Sequence, residues 1–194
     1  MWTTAVQRAA AMLVCTAAVL LAGCAQVKLG APTPSIENIQ KAKASPMEPV
    51  AIGDFKLAPG KSRALDLGVS IRSNTFYSPF DSSFAKYLGE TLSAELRAAG
   101  LVDRVAKTTI SGELTDSFVD APASQGTGSL AARFVVQRDG KTSFDKELKA
   151  TSSWESSFVG AIAIPEAINQ YVALYRVLVG QLLDDPDFRK AVAR

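Results

Sequence analysis

The sequence predicts an α+β fold: a mostly antiparallel sheet of about five strands with two long helices packed on one face, in the order β-β-α-β-β-β-α. Several segments alternate apolar and polar residues with the period of two that half-buried strands show. Turn-forming residues separate them, and two longer segments repeat apolar residues every three or four positions. Because consecutive strands joined by tight turns usually pair in antiparallel fashion, we expect one sheet with helices on one side.

The first two strands are predicted at residues 50–57 and 65–72. The segment VAIGDFKL is rich in apolar residues and is followed by turn residues at 58–61. The segment LDLGVSIR alternates apolar and polar residues along its whole length. We expect the two strands to form a hairpin, followed by an aromatic-rich loop over residues 73–82.

The first long helix is predicted over residues 83–99. Gly100 stands where a left-handed residue commonly ends a helix. One face of the helix would be apolar because suitable residues recur every three or four positions. These residues are Phe84, Leu88, Leu92, Leu96 and Ala99.

The remaining strands are predicted at residues 108–120 and in a hairpin over residues 129–150. The dipeptide Asp139-Gly140 favours the two positive φ angles of a tight primed turn. Residues 121–128, which are rich in glycine and small polar residues, are predicted to form a flexible loop.

The second long helix is predicted near the C-terminus, with Pro165 as its first residue, since proline suits that position. Asp185 and Pro186 would then begin a short closing helix that extends through Phe188. Near the other end of the chain, Ser35 is expected to cap a short amphipathic turn.

Residues 1–23 are predicted to be a secretory signal. Arg8 supplies a short positive region, and residues 9–21 form an uncharged apolar run that is shorter than the ~20 residues needed to span a bilayer. The next motif, Leu21-Ala22-Gly23-Cys24, resembles the lipobox of bacterial lipoproteins. The alternatives are an ordinary cleaved signal with a chance cysteine and an uncleaved anchor helix.

The lipobox resemblance implies that Cys24 is joined to a diacylglycerol, that the preceding peptide is removed, and that the new amine is acylated. The other cysteine, Cys15, would be discarded with the signal. Residues 24–34 would form a lipidated tether, of which ten extended residues span at most ~35 Å. Residues 35–194 would form a single periplasmic α+β domain.

Composition excludes several classes of site. The chain has no histidine, so Ser-His-Asp, Cys-His and His/Cys zinc sites are impossible. With 21 Lys and Arg against 19 Asp and Glu, it has no basic stripe that predicts nucleic-acid binding. We therefore expect no metal, no cofactor and no nucleic-acid partner.

Three longer stretches resemble small outer-membrane lipoproteins of Gram-negative bacteria, most closely the YajG-like family. They are the helix YLGETLSAELRAAGL at residues 87–101, the hairpin at 128–148, and the C-terminal stretch that begins at Ala163. More loosely, the layout resembles LptE and the auxiliary lipoproteins of envelope ABC transporters. That resemblance implies an accessory or scaffold module facing the periplasm. Ala25, where inner-membrane lipoproteins carry Asp, implies transfer to the outer membrane.

The alternative function is a small periplasmic hydrolase. Ser83 and Lys86 match a Ser-x-x-Lys motif, and Lys141-Thr142-Ser143 faintly matches a second motif of penicillin-binding enzymes. The third motif of those enzymes is absent between them. A helix cap and a solvated lysine explain the pair more simply.

Carboxylates offer a second route to hydrolysis or metal binding. The run Asp184-Asp185-Pro186-Asp187 is better explained by helix capping than by a cation site. Glu113, Asp116 and Asp120 could form a glycosidase pair only if burial raised the pKa of one of them, and an alternating strand favours solvated side chains.

Aromatic residues are the candidate contact surface for a partner, which would be an unidentified envelope protein or lipid. Exposed aromatic groups suit such contacts. The competing interpretation is that these rings cover the open end of the sheet. The candidates are Phe76, Tyr77, Phe80, Trp154 and Phe158.

Overall fold

A computed structural model of the chain describes residues 27–193, which form seven strands and five helices. A four-stranded sheet has the order β2-β5-β6-β7, and a three-stranded sheet has the order β1-β4-β3. The strands are β1 (Val27–Lys28), β2 (Ala51–Leu57), β3 (Val69–Ile71), β4 (Asn74–Tyr77), β5 (Thr108–Asp120), β6 (Ser124–Arg138) and β7 (Lys141–Ser156). The helices are α1 (Ile36–Ala44), α2 (Ala64–Leu67), α3 (Phe84–Ala98), α4 (Gly160–Asp184) and α5 (Pro186–Val192).

The larger sheet is built on an antiparallel meander of β5, β6 and β7, to which β2 is added in parallel beside β5. Helix α3 packs on β2 and β5, and α4 packs on β6 and β7. One apolar core lies between the sheet and these two helices. Burial on one side explains why apolar residues alternate along the strands and recur every three or four positions along the helices. Its fully buried members include Leu88, Leu92, Ile110, Phe134, Tyr171 and Leu178.

The opposite face of the large sheet is polar. Arg133 forms an ion pair with Asp145 at 2.5 Å, and Lys149 lies 3.4 Å from Asp116. Helices therefore cover one face of this sheet, while charged side chains occupy the other.

The α+β class and several elements are confirmed. Helix α3 ends next to Gly100, which has a φ of +78°, and Ser83 caps its start. Strand β5 coincides with the predicted residues 108–120. The β6–β7 hairpin turns at Asp139 and Gly140, whose φ angles are +49° and +76°.

The single sheet of about five strands is wrong, because the strands form two sheets that both contain a parallel pair. The predicted hairpin between residues 50–57 and 65–72 is also wrong, since β2 pairs with β5. Residues 64–67 form helix α2 because Asp66 Oδ1 accepts the Ala85 N–H at 2.7 Å and the Ser83 hydroxyl at 3.0 Å. These distant contacts outweigh the local alternation.

Three further boundaries differ from the prediction. Strand β4 lies inside the predicted loop at 73–82, and β6 begins at Ser124, inside the predicted loop at 121–128. Helix α4 begins at Gly160, so Pro165 lies within the helix rather than at its first position. None of the helices between Val27 and Ala193 has both the length and the apolar character required to cross a membrane.

The segment that follows Val27 is docked on the domain. β1 pairs in parallel with β4, and the Leu29 N–H donates to the Tyr77 carbonyl at 2.9 Å. The Tyr87 hydroxyl donates to the Gly30 carbonyl at 3.1 Å, and Arg176 Nε donates to the Thr33 carbonyl at 3.0 Å. Most of the predicted tether is therefore fixed to the body, and its expected reach of ~35 Å shortens accordingly.

Candidate functional site

The five predicted aromatic contact residues lie in different environments. Phe158 is 85% exposed, whereas Phe76 is only 5% exposed and belongs to the core. Tyr77, Phe80 and Trp154 are half-buried. Phe76 therefore does not belong to a contact surface, and Phe158 is the one fully exposed ring of the set.

The two half-buried rings Phe80 and Trp154 pack against neighbouring elements. The Phe80 ring lies 6.1 Å from the Tyr87 ring, in a tilted arrangement. The Trp154 indole covers Gly126 so closely that any side chain there would collide with it. Both rings thus close the edges of the core, as the competing interpretation of the aromatic set expects.

Arg72 joins three loops at one end of the domain. Its Nε donates to the Ala121 carbonyl at 2.9 Å, Nη1 to the Phe158 carbonyl at 3.0 Å, and Nη2 to the Ser157 carbonyl at 2.6 Å. These carbonyls belong to the β5–β6 connection and the β7–α4 loop, while Arg72 lies in the β3–β4 turn with a φ of +55°. We call this region the Arg72 end.

Apolar side chains are exposed at the Arg72 end. Next to Phe158, Val159 is 52% exposed and Ile162, in the first turn of α4, is 61% exposed. Phe118 near the end of β5 and Val27 at the start of β1 are each about half exposed. Phe158, Val159 and Ile162, which lie within five residues of one another along the chain, indicate a contact surface.

The opposite end of the domain, which we call the hairpin end, contains the Asp139-Gly140 turn and the α3–β5 loop. The Asp139 N–H donates to the Lys107 carbonyl at 3.2 Å, which joins the two. Val105 in this loop is 87% exposed. The 13-residue strand β5 separates the two ends by about 40 Å.

The register of β1 determines the side from which the chain enters the domain. Val27 is paired with Phe76 and Lys28 with Tyr77, in parallel. Since β4 starts directly after the β3–β4 turn, the chain enters β1 from the Arg72 end. Cys24 lies outside the described residues and precedes Val27 by three positions.

The predicted Ser83–Lys86 pair does not form a nucleophile and base. Ser83 Oγ accepts the Lys86 backbone N–H at 3.1 Å and donates to Asp66 Oδ1. The Lys86 ammonium instead lies 2.6 Å from Asp81 Oδ2, and this hydrogen-bonded carboxylate raises the pKa of Lys86. Ser83 is thus a helix cap, and Lys86 is held in its charged form.

Lys86 lines an open groove of about 640 Å³ between β2 and α3. Side chains of both charge signs line it, including Asp54, Glu90, Arg97 and Arg104, and Ser83 is not among them. Ser93 also lines the groove, and its hydroxyl accepts a hydrogen bond from Arg97 Nη2 at 2.9 Å.

Most of the carboxylates singled out from the sequence are paired with cations or serve as caps, whereas Asp120 Oδ1 accepts the adjacent Ala121 N–H. Glu113 lies 3.5 Å from Arg133, and Asp116 pairs with Lys149. Asp184 contacts Lys41 at 2.7 Å. Between Val27 and Ala193, no cluster of His, Cys, Asp and Glu has the arrangement of a metal site.

Asp185 caps α5 and also forms an ion pair. Its Oδ1 accepts the backbone N–H groups of Asp187 and Phe188, and its Oδ2 lies 2.7 Å from the Lys146 ammonium. Burial alone would raise the pKa of Asp185, but the hydrogen bonds from Lys146 and from the two amides outweigh it and lower that pKa.

A chain of three hydroxyls, two of them on fully buried tyrosines, was not expected from the sequence. Tyr171 Oη lies 2.7 Å from Ser117 Oγ and 2.8 Å from Tyr175 Oη. Burial raises the pKa of both tyrosines, although the bonds to Ser117 and Tyr175 oppose it at Tyr171. The phenols stay protonated, and their bonds satisfy polar atoms inside the core. Both rings lie on the buried side of α4.

Sequence reasoning also missed Arg72, Val159 and Ile162. Val159 and Ile162 belong to the apolar run SFVGAIAIP at residues 157–165, which extends from the β7–α4 loop into the first turns of α4 and could have indicated exposed apolar residues there. Nothing local marks Arg72, whose three partners lie 49 to 86 positions away.

No known family model matches the sequence, and no curated protein matches it. Among solved structures, protein XCC0632 from Xanthomonas campestris, of the family DUF330, is similar with a TM-score of 0.50 and 13% identity, over 81% of this chain and 92% of that one. This similarity shows a shared fold.

Two further structures are less similar. A putative lipoprotein from Caulobacter crescentus has a TM-score of 0.45 and 8% identity, over 79% of this chain and 97% of that one. The hypothetical protein CT253 from Chlamydia trachomatis has a TM-score of 0.41 and 11% identity, over 71% and 96%. None of these findings points to the YajG-like or LptE families in particular.

Proposed function

We propose that the chain is an envelope lipoprotein anchored through Cys24 to the outer membrane, whose domain faces the periplasm as a non-enzymatic accessory or scaffold module. The observation that carries the proposal is the motif Leu21-Ala22-Gly23-Cys24 behind a short apolar run. A lipid adds ~0.8 kcal/mol of membrane affinity per buried methylene, so two or more acyl chains make a stable anchor.

The non-enzymatic part of the proposal is supported by the surroundings of Ser83 and Lys86. A serine nucleophile needs a base within hydrogen-bonding reach of its hydroxyl. The base of the predicted pair, Lys86, is bound to Asp81 instead, and the carboxylate that the Ser83 hydroxyl does reach, Asp66, also accepts the Ala85 N–H at the start of α3. A fluorescent β-lactam is therefore expected to leave the protein unlabelled. Labelling that disappears in Ser83→Ala would establish the hydrolase instead.

The accessory role is supported by the resemblance to auxiliary lipoproteins of envelope transporters. Such a module acts by binding, so its partner should be held in contact with it. Crosslinking in intact cells, followed by identification of the captured envelope protein, tests this part. Reproducible absence of any captured partner would contradict it.

Fatty-acid labelling tests the anchor. The wild-type chain should incorporate labelled palmitate in a Gram-negative host, and its mature N-terminus should be residue 24. Cys24→Ala should abolish both labelling and cleavage at this position. Cys15→Ala is the matched control, since Cys15 lies within the predicted signal and its loss should leave labelling intact. Palmitate in Cys24→Ala, or a mature N-terminus elsewhere, would overturn the proposal.

A further inference from the structure

Three facts about the Arg72 end concern the membrane. The chain enters the domain there, its apolar side chains are exposed there, and Arg72 fixes its loops to one another. Because all three occur at the same end of the domain, they bear on how the domain would be oriented relative to a membrane.

The distance between the anchor and the body is short. Val27 follows Cys24 by three positions, and an extended chain gains at most ~3.6 Å per position, so Cys24 lies within about 11 Å of Val27. Val27 is held by β4, and the following residues are held by Tyr77, Tyr87 and Arg176. An acylated Cys24 would thus bring the Arg72 end, rather than the hairpin end, against the lipid.

The side chains at this end have the character of a membrane-contact surface. Phe158, Val159 and Ile162 project from one loop and the first turn of α4, and all three are more than half exposed. The positive charges of Lys28 and Arg72 are balanced by the negative charges of Asp120 and Glu155 at the same end of the domain. With charge balanced, attraction to the bilayer would depend on apolar burial and only weakly on salt or anionic lipid.

We propose, on the basis of the function proposed above, that the Arg72 end rests on the bilayer and that Phe158, Val159 and Ile162 enter its interfacial region beside the acyl chains of Cys24. Apolar groups of interfacial segments are buried about 5–10 Å into the boundary between headgroups and acyl chains. The domain is then oriented with its hairpin end about 40 Å from the surface.

A pair of labelled variants tests this orientation. Phe158→Cys and Val105→Cys replace apolar residues of equal exposure, 85% and 87%, at opposite ends of the domain. Each full-length chain is produced in a Gram-negative host, labelled with an environment-sensitive thiol dye, and reconstituted into phosphatidylcholine vesicles. Circular dichroism checks that both variants keep the wild-type fold.

We expect the dye at position 158 to shift to shorter wavelength in vesicles, and to be quenched several-fold more strongly than the dye at 105 by lipids brominated near the glycerol. The difference should persist at high salt. Equal quenching at the two positions would overturn the orientation. So would a blue shift at 158 that grows with protein density in the vesicles, because it would indicate contact between copies of the chain.

The unmodified chain separates this proposal from the one on which it rests. If Cys24 is acylated, wild-type protein offers no thiol and takes up no dye. Wild-type protein that takes up dye stoichiometrically would contradict lipidation, and hence the anchor itself. Unlabelled wild type together with equal quenching at 105 and 158 would contradict only the contact at the Arg72 end.

Discussion

The side-chain amide of Asn38 in α1 donates to Oε1 of Glu95 in α3 at 3.1 Å, and both residues are buried. The same amide donates to the Arg176 carbonyl of α4 at 2.9 Å, while Glu95 Oε2 accepts the Ser35 N–H at 2.9 Å. One buried polar pair therefore joins three helices. Because each group has lost its contact with water, its partners determine whether this junction stabilises the fold.

Glu95→Ala is expected to destabilise the domain by about 1–3 kcal/mol, because it leaves the Ser35 and Asn38 donors without their acceptor. Glu95→Gln retains one acceptor oxygen and should cost less. Glu90→Ala, an exposed site on the same helix, is the control and should change stability by less than about 0.5 kcal/mol. Urea unfolding measures all three, and equal losses at 90 and 95 would contradict the role of the junction.

Phe76→Ala and Phe158→Ala should differ sharply in stability. Phe76 is packed in the core, so its truncation should cost about 3–5 kcal/mol. Phe158 projects into solvent, so its truncation should stay within about 0.5 kcal/mol. Equilibrium unfolding distinguishes the two. A large loss at Phe158 would mean that its ring is packed and unavailable as a contact.

Arg72→Lys should loosen the three loops of the Arg72 end. A lysine ammonium cannot reproduce the planar fork that reaches the Ala121, Ser157 and Phe158 carbonyls together. We expect faster amide exchange at residues 121–124 and 157–160, and a loss of about 1 kcal/mol in global stability. Exchange at the hairpin end is the internal control, and a uniform increase over the whole domain would show that the effect is not local.

Asp185→Asn should lower stability at neutral pH but not in acid. The pKa of Asp185 is lower in the folded chain, so its carboxylate stabilises the fold above the unfolded value of about 3.9 and loses this effect as pH falls further. Asparagine retains the cap to Asp187 and Phe188 but loses the ion pair with Lys146. The difference from wild type should therefore shrink below pH about 4 in urea unfolding. A difference that is independent of pH would contradict this assignment.

Ala25→Asp should retain the lipoprotein in the inner membrane, following the sorting rule that the lipobox resemblance implies. The substitution lies before the first described residue. Density-gradient fractionation of cell membranes measures the distribution. Ala25→Ser is the control and should remain in the outer-membrane fraction. Identical distributions of wild type, Ala25→Asp and Ala25→Ser between the two membrane fractions would contradict the predicted sorting to the outer membrane.

Local patterns predicted the elements whose stabilising contacts lie mainly within the element or with its nearest neighbour in sequence. Helix α3 has its cap, its apolar face and its terminal glycine within 18 residues, from Ser83 to Gly100. The β6–β7 hairpin has its turn dipeptide between two alternating strands. In these cases local propensity and tertiary packing favour the same structure, so the element can be predicted from its own residues.

The errors involve contacts between distant segments. Residues 65–72 do alternate between apolar and polar, but Asp66 forms hydrogen bonds with Ser83 and Ala85 at the start of α3. These bonds favour the short helix α2 over a strand at this position. The parallel pairings of β1 with β4 and of β2 with β5 join segments about 50 and about 60 residues apart, and no turn dipeptide marks them. Composition alone could not separate the exposed Phe158 from the buried Phe76, because strand β4, which buries Phe76, pairs with distant segments.

Strand β7 forms a long free edge of the large sheet, since in residues 27–193 it pairs only with β6. For a protein confined to a membrane plane, lateral crowding would bring such edges of neighbouring molecules together far more often than in solution. Charged residues along β7 oppose pairing of this strand with the edge strand of another molecule. They are Lys141, Asp145, Lys146, Glu147 and Lys149. If the proposed anchor holds the protein in a membrane, these charges would also oppose aggregation within the membrane plane.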